Sequence, residues 1–147
     1  MAKRMLVPLD QTLEGEAVLS VVADALAMGT TVRLLHVTPR PVNVTDADGR
    51  IVAYADQELS RLEDETFDYL RTIEARLAAG PVEYAVRFGD VVEQIIAEAD
   101  AFGADVIALT TGHHRDLCHY VLGSTAEQIC RRTDVTVLIT RPGRLGR

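Results

Sequence analysis

Several things are scarce in this 147-residue chain, and each scarcity closes off a class of protein. It holds two cysteines, Cys118 and Cys130, too few and too far apart for a disulfide framework or a paired Cys-x-x-Cys metal signature. Positive charge is short. Fifteen Lys and Arg stand against 22 Asp and Glu, a net charge of −7, so the surface repels phosphate backbones and no nucleic-acid partner is expected. Any bound phosphate then has to be held locally, by backbone N–H groups and one or two side chains. Long apolar runs are missing too. The opening Met1-Ala2-Lys3-Arg4-Met5-Leu6-Val7-Pro8 is broken by Pro8 and far below the roughly 18 residues a membrane span needs, so neither signal peptide nor membrane contact is expected and the cytoplasm is the default location. Tryptophan is absent and aromatics amount to 5%, which bears on no function.

What is present is the balance of a soluble globular domain, 48% apolar and 25% charged, in a length that suits one domain spanning residues 1–147. Strand and helix signals alternate along it. Met5–Leu9 reads as a strand with Pro8 near its end, where a missing ladder donor matters least. Asp10-Gln11-Thr12 offers N-cap chemistry for a helix carrying Val18, Val21, Val22, Ala25 and Leu26 on one face and ending at Gly29. Val32–Val37 is a second strand. Residues 38 to 52 carry Pro39, Pro41 and Asp46-Ala47-Asp48-Gly49 and read as the least structured stretch. A long helix is predicted from Tyr54 to Ala79, with Leu59, Leu62, Thr66, Tyr69, Leu70, Ile73 and Leu77 on one face and Gly80-Pro81 as its stop.

Val82–Phe88 alternates large apolar with polar or small residues, the pattern of a half-exposed strand, and is placed at a sheet edge. Val106–Leu109 and Val135–Ile139 are mostly apolar, as strands covered on both faces are. Between these three strands fall a helix capped by Asp90, with Val91, Val92, Ile95, Ile96, Ala99 and Phe102 turned inward, and a shorter helix from Ser124 to Arg132. The sum is α/β: a doubly wound, five-stranded parallel sheet with helices on both faces.

In such a sheet a ligand binds beyond the carboxyl ends of the strands, where the strand order reverses. The residues leaving those ends are Pro8, Leu9 and Asp10, then His36 and Val37, then Thr110, Thr111 and Gly112. Asp10 either caps the first helix or accepts hydrogen bonds from an exocyclic amine or a sugar hydroxyl. Gly123-Ser124-Thr125 opens a helix, which suits a phosphate through free N–H groups, dipole and hydroxyl donors. Read alone, it is more simply an ordinary N-cap.

These segments together resemble the universal stress protein family: Val7-Pro8-Leu9-Asp10, Leu34-Leu35-His36-Val37, Leu122-Gly123-Ser124-Thr125-Ala126-Glu127 and Val135-Thr136-Val137-Leu138-Ile139 recur in its order and spacing. The resemblance implies a Rossmann-like sheet ordered 3-2-1-4-5, a role in stress sensing without dedicated catalysis, and a homodimer joined through the last strand, here Val135, Val137 and Ile139. It also implies an adenine nucleotide as ligand, ATP, ADP or AMP, with room for magnesium beside the phosphates. ATP-binding members carry G-x2-G-x9-G followed by Ser or Thr. Here Gly112 and the pair Gly123-Ser124 match, but Arg115 stands at the second glycine and the loop from Gly112 to Gly123 is two residues short. The adenine and ribose end is expected at Pro8, Asp10, Val37, Gly112 and His114. The phosphate end, where Arg115 is a fixed cation, is expected to favour a shorter nucleotide.

Other readings compete. One is a family member that binds no nucleotide and acts as a dimeric interaction module. His113, His114, Cys118 and His119 invite a metal-binding loop, though their spacing matches no established finger. An enzyme pairing Asp10 with His36, and Ser124 or Cys118 as nucleophile, lacks a Gly-x-Ser-x-Gly elbow; a hydrogen-bonded rim histidine is the simpler expectation. Slow nucleotide hydrolysis stays open without dedicated residues. Leu9-Asp10-Gln11-Thr12-Leu13 is no G-x-G-x-x-G turn, so dinucleotide redox chemistry is excluded.

Overall fold

The computed structural model describes residues 3–10, 15–38, 44–53, 55–77, 80, 82–110 and 124–141. Five parallel strands form its sheet: β1 (Arg4–Pro8), β2 (Thr31–Thr38), β5 (Val82–Phe88), β6 (Val106–Thr110) and β7 (Thr136–Thr140). A separate two-stranded hairpin pairs β3 (Val44–Thr45) with β4 (Ile51–Ala53). The sheet order is β5-β2-β1-β6-β7, which among the five main strands is the expected 3-2-1-4-5. Pro8, the last residue of β1, pairs with Leu35 at the end of the ladder.

Handedness explains the two layers. Right-handed crossovers carry α1 (Leu19–Ala27) and α2 (Ala55–Leu77) to one face as the chain moves outward from β1 to β2 and β5. The chain then returns past β1 to β6 and β7, and the same hand puts α3 (Val91–Phe102) and α4 (Ser124–Arg132) on the other face. The core divides accordingly. Val7, Leu34, Val22, Leu26, Leu70, Ile73 and Leu77 pack on the α1/α2 side, and Leu6, Leu35, Ile107, Val92, Ile95, Phe102 and Ile129 on the α3/α4 side. Consecutive residues of β1 and β2 thus alternate between the two layers, as a fully covered strand requires.

Where the structure departs from the sequence reading, a local interaction accounts for it. The N-cap chemistry expected at Asp10-Gln11-Thr12 lies largely outside the described residues, and the first helix itself does not begin there. It grows from a 3₁₀ turn, Gly15–Val18, with buried Val18 at its N-cap position and no side-chain cap, so packing rather than capping sets its start. Residues 46–50, expected to be irregular, close the β3–β4 hairpin. One carboxylate oxygen of Asp46 accepts from the N–H groups of Asp48 and Arg50, both at 2.9 Å, and Gly49 takes φ +81°. Val91 faces outward at 37% exposure, because Asp90 accepts from the Glu93 N–H at 3.0 Å and fixes the helix phase with Val92 inward. The last strand is not covered on both faces. Val135, Val137 and Ile139 pack against the α3/α4 layer, whereas Thr136 and Leu138 on its other side are exposed.

The edge strand β5 is held by charge as well as by ladder bonds. Arg33 of β2 donates to the buried Glu98 of α3 at 2.9 Å and to Glu83 of β5 at 3.1 Å. Arg87 of β5 donates to the second oxygen of Glu98 at 2.6 Å and to Gln94 at 3.0 Å. The Arg33 guanidinium also lies 4.2 Å from the Phe102 ring centroid. A single carboxylate thus compensates two arginines that are 23% and 30% exposed. Glu98→Gln should cost about 2 kcal/mol, below the range for fully buried pairs because solvent still reaches both cations. Glu83→Gln, at a half-exposed position, should cost less than about 1 kcal/mol. Urea denaturation measures both, and equal effects would contradict this division of roles.

Candidate nucleotide-binding crevice

β1 is the strand at which the order reverses. The chain leaves it toward β2 and β5, then comes back to β6 on its other side, so the connections leaving the carboxyl ends of β1 and β6 run to opposite faces of the sheet. Leu9 and Asp10 emerge there. Leu9 is buried at 4% exposure and Asp10 is exposed. The Leu9 N–H donates to the Leu35 carbonyl at 2.8 Å, continuing the ladder one residue past Pro8.

His36 completes that attachment. It lies one residue after Leu35 on β2, and its Nδ1 is 2.7 Å from the Leu9 carbonyl oxygen. A carbonyl oxygen only accepts, so Nδ1 carries the hydrogen and donates. The ring is a hydrogen-bonded rim histidine, and the Asp10–His36 catalytic pairing considered from sequence is not formed through this nitrogen. Val37, next along β2, packs on the α3/α4 side. Thr110 ends β6, with its hydroxyl 3.3 Å from that of Thr140.

The fourth contributor is the start of α4. A helix following a parallel strand runs back antiparallel to it, so α4 begins at the strands' carboxyl end. Ala126 and Ile129 anchor it in the core, and Thr125 in its first turn is exposed. Pro8, Leu9, Asp10, Val37, Ser124 and Thr125 therefore all stand at the same end of the sheet. Thr111, Gly112, His114, Arg115 and Gly123 lie outside the described residues, as do His113, Cys118 and His119 of the metal reading. Among the described residues there is no group of three or more His, Cys, Asp or Glu able to hold a metal ion, and no helix is long and apolar enough to cross a membrane.

One cluster at this end was missed from sequence. Tyr69, assigned there to the core face of α2, donates to Glu16 at 3.3 Å, and Glu16 also pairs with Arg76. These partners are 53 and 60 residues apart, beyond any local pattern. The cluster ties α2 to the 3₁₀ turn that follows the Asp10 loop.

A family model described as "Universal stress protein family" matches residues 1–141. The chain belongs to the universal stress protein family. Universal stress protein G of Shigella flexneri is 27% identical over 112 residues, covering 75% of this chain and 77% of that protein. The solved structure of the hypothetical protein MJ0577 shares the fold with a TM-score of 0.77 at 22% identity, covering 98% and 99% of the two chains. Two universal stress protein structures with this fold are complexes, one with cAMP and one, from Archaeoglobus fulgidus, with dAMP. Their TM-scores are 0.63 and 0.61, identities 17% and 14%, and coverages 97% and 98%, and 95% and 97%.

Burial, reinforced by the Glu16 and Asp10 carboxylates, pushes the Tyr69 phenol above its ordinary value. The unfolded chain therefore loses this proton first as pH climbs. The phenol's contribution to stability is whole below about pH 10 and erodes above it. Tyr69→Phe, with no proton to lose, should show a shallower fall of denaturation midpoint between about pH 9.5 and 11. Equal slopes for the two proteins would contradict this environment for Tyr69.

Proposed function

We propose that this universal stress protein binds an adenine nucleotide in the crevice beyond β1, β2 and β6 and acts as a sensor or regulator in stress response rather than as a dedicated enzyme. The observation that carries the reading is the convergence of Pro8, Leu9, Asp10 and Val37 with the amino end of α4 at the strand-order reversal. Family relatives of this fold in complex with cAMP and dAMP support an adenine monophosphate as the ligand class.

The roles follow from chemistry. The Asp10 carboxylate accepts from a ribose hydroxyl or an exocyclic amine, and the half-buried apolar surface of Val37 lies against the base. Thr111, Gly112 and His114 complete the nucleoside end. Gly123, Ser124 and Thr125 offer the helix start to phosphate, with Arg115 as its cation and magnesium beside a longer phosphate chain. With Arg115 in place of a loop glycine and two residues fewer between Gly112 and Gly123, the loop wraps a triphosphate poorly. Binding without dedicated turnover is supported by His36, whose Nδ1 is engaged by backbone instead of a carboxylate.

Calorimetric titration with AMP, ADP and ATP tests the reading. AMP should bind, ATP should bind less than about tenfold more tightly, and Asp10→Ala should weaken AMP by about tenfold, roughly 1.4 kcal/mol. Tenfold tighter ATP would contradict the loop assignment. No binding of any of the three would place the chain among the family's non-binders.

Association through β7 is the second element of the proposal. Its outer edge ends the sheet. Val135, Val137 and Ile139, the residues the resemblance implies for the contact, pack against the α3/α4 layer. Leu138 on the strand's other face is 37% exposed, an apolar side chain suited to contact with the same strand of a second copy. Light scattering should find a dimer that Leu138→Lys shifts to monomer. A monomeric wild type, or an unaffected variant, would contradict pairing there.

A further inference from the structure

We propose that His36 is the positioning residue of the nucleoside end: by donating from Nδ1 to the Leu9 carbonyl, it fixes the peptide from which Asp10 leaves the sheet. This role rests on the nucleotide reading above. The strand end needs such a clamp because on its other side Pro8, whose backbone faces β6, has no N–H to give, and the β1–β6 register stops at Leu6. β2 holds the strand end from two successive residues instead. The Leu35 carbonyl takes the Leu9 N–H at 2.8 Å, and the His36 ring takes hold of the Leu9 carbonyl at 2.7 Å.

Both polar backbone groups of Leu9 are then held by one neighbouring strand, at a residue 4% exposed where water competes little. The Leu9 carbonyl shares a planar peptide with the Asp10 N–H, and the described backbone contains no cis bond. Locking the oxygen toward His36 turns the Asp10 N–H the opposite way and fixes where its carboxylate begins. The same bond sets the imidazole tautomer: a neutral ring bears its hydrogen on Nδ1 and presents Nε2 as acceptor.

Substitutions that copy one nitrogen or the other separate positioning from mere packing. Asn places its Nδ2 where the imidazole has Nδ1, whereas the Gln amide lies one bond further out. AMP affinity is measured by calorimetry at a temperature where each variant is folded, beside the thermal midpoint without ligand. In addition, long-range proton–nitrogen NMR of the wild type reads the ring tautomer. His36→Asn should stay within about threefold of the wild-type affinity and His36→Gln should lose about tenfold, with the wild-type ring in the Nδ1–H form.

Equal affinity of all folded variants, with only the midpoint lowered, would reduce His36 to a stabilising residue and overturn the proposal. So would an Nε2–H ring, which needs no variant to fold, or an Asn variant as weak as Gln. Failure of the wild type itself to bind AMP is a separate result: it removes the nucleotide reading and this role with it.

Discussion

Parallel strands joined by crossovers of a single hand leave the chain one way to cover both faces of a sheet: start in the middle, build outward, and come back. β1 is that middle. Because the chain returns past it to β6, α1 and α2 cover one face and α3 and α4 the other, and the connections leaving the carboxyl ends of β1 and β6 run to opposite faces. The proposed site is therefore the one that topology favours before any particular side chain is considered. What this chain adds is the way it finishes β1, with a proline that has no N–H to give, a buried leucine held by β2, and an exposed aspartate beyond it.

Energetically the two ends of the sheet are built differently. Toward the β5 edge, a buried carboxylate bridges two arginines and an aromatic ring carries one of them, which docks α3 against the strands beneath it. At the carboxyl end, hydrogen bonds from β2 and the Tyr69–Glu16–Arg76 cluster secure the loop's two flanks and leave Asp10 exposed between them. In the proposed reading, the polar group offered to a ligand is this exposed aspartate.

Much of the architecture was legible in the residues. The alternation of Val82–Phe88 placed that strand at an edge, Ser124 marked the start of α4, and apolar Val106–Leu109 read as a covered strand. Errors arose where a tertiary contact outweighs a local signal. Asp10-Gln11-Thr12 has N-cap chemistry, yet α1 itself starts at buried Val18 without a side-chain cap; Val135–Ile139 is as apolar as a strand covered on both faces, yet Thr136 and Leu138 are exposed. The β3–β4 hairpin escaped notice because its strands are two and three residues long and its turn is organised by the side chain of Asp46. Of the candidate site, the strand-end residues were readable from position alone. The Tyr69–Glu16–Arg76 cluster was not, since nothing local connects residues 53 and 60 positions apart.

The central claim is that the exits of β1, β2 and β6 form one nucleoside-sized crevice. Mapping backbone amide shifts on addition of AMP tests it most directly. The account predicts the largest changes at Leu9, Asp10, Val37, Thr110 and Thr125, with the opposite end of the sheet, at Arg4, Thr31, Val82 and Asp105, unmoved. Shifts concentrated at that opposite end, or spread evenly over the surface, would contradict it.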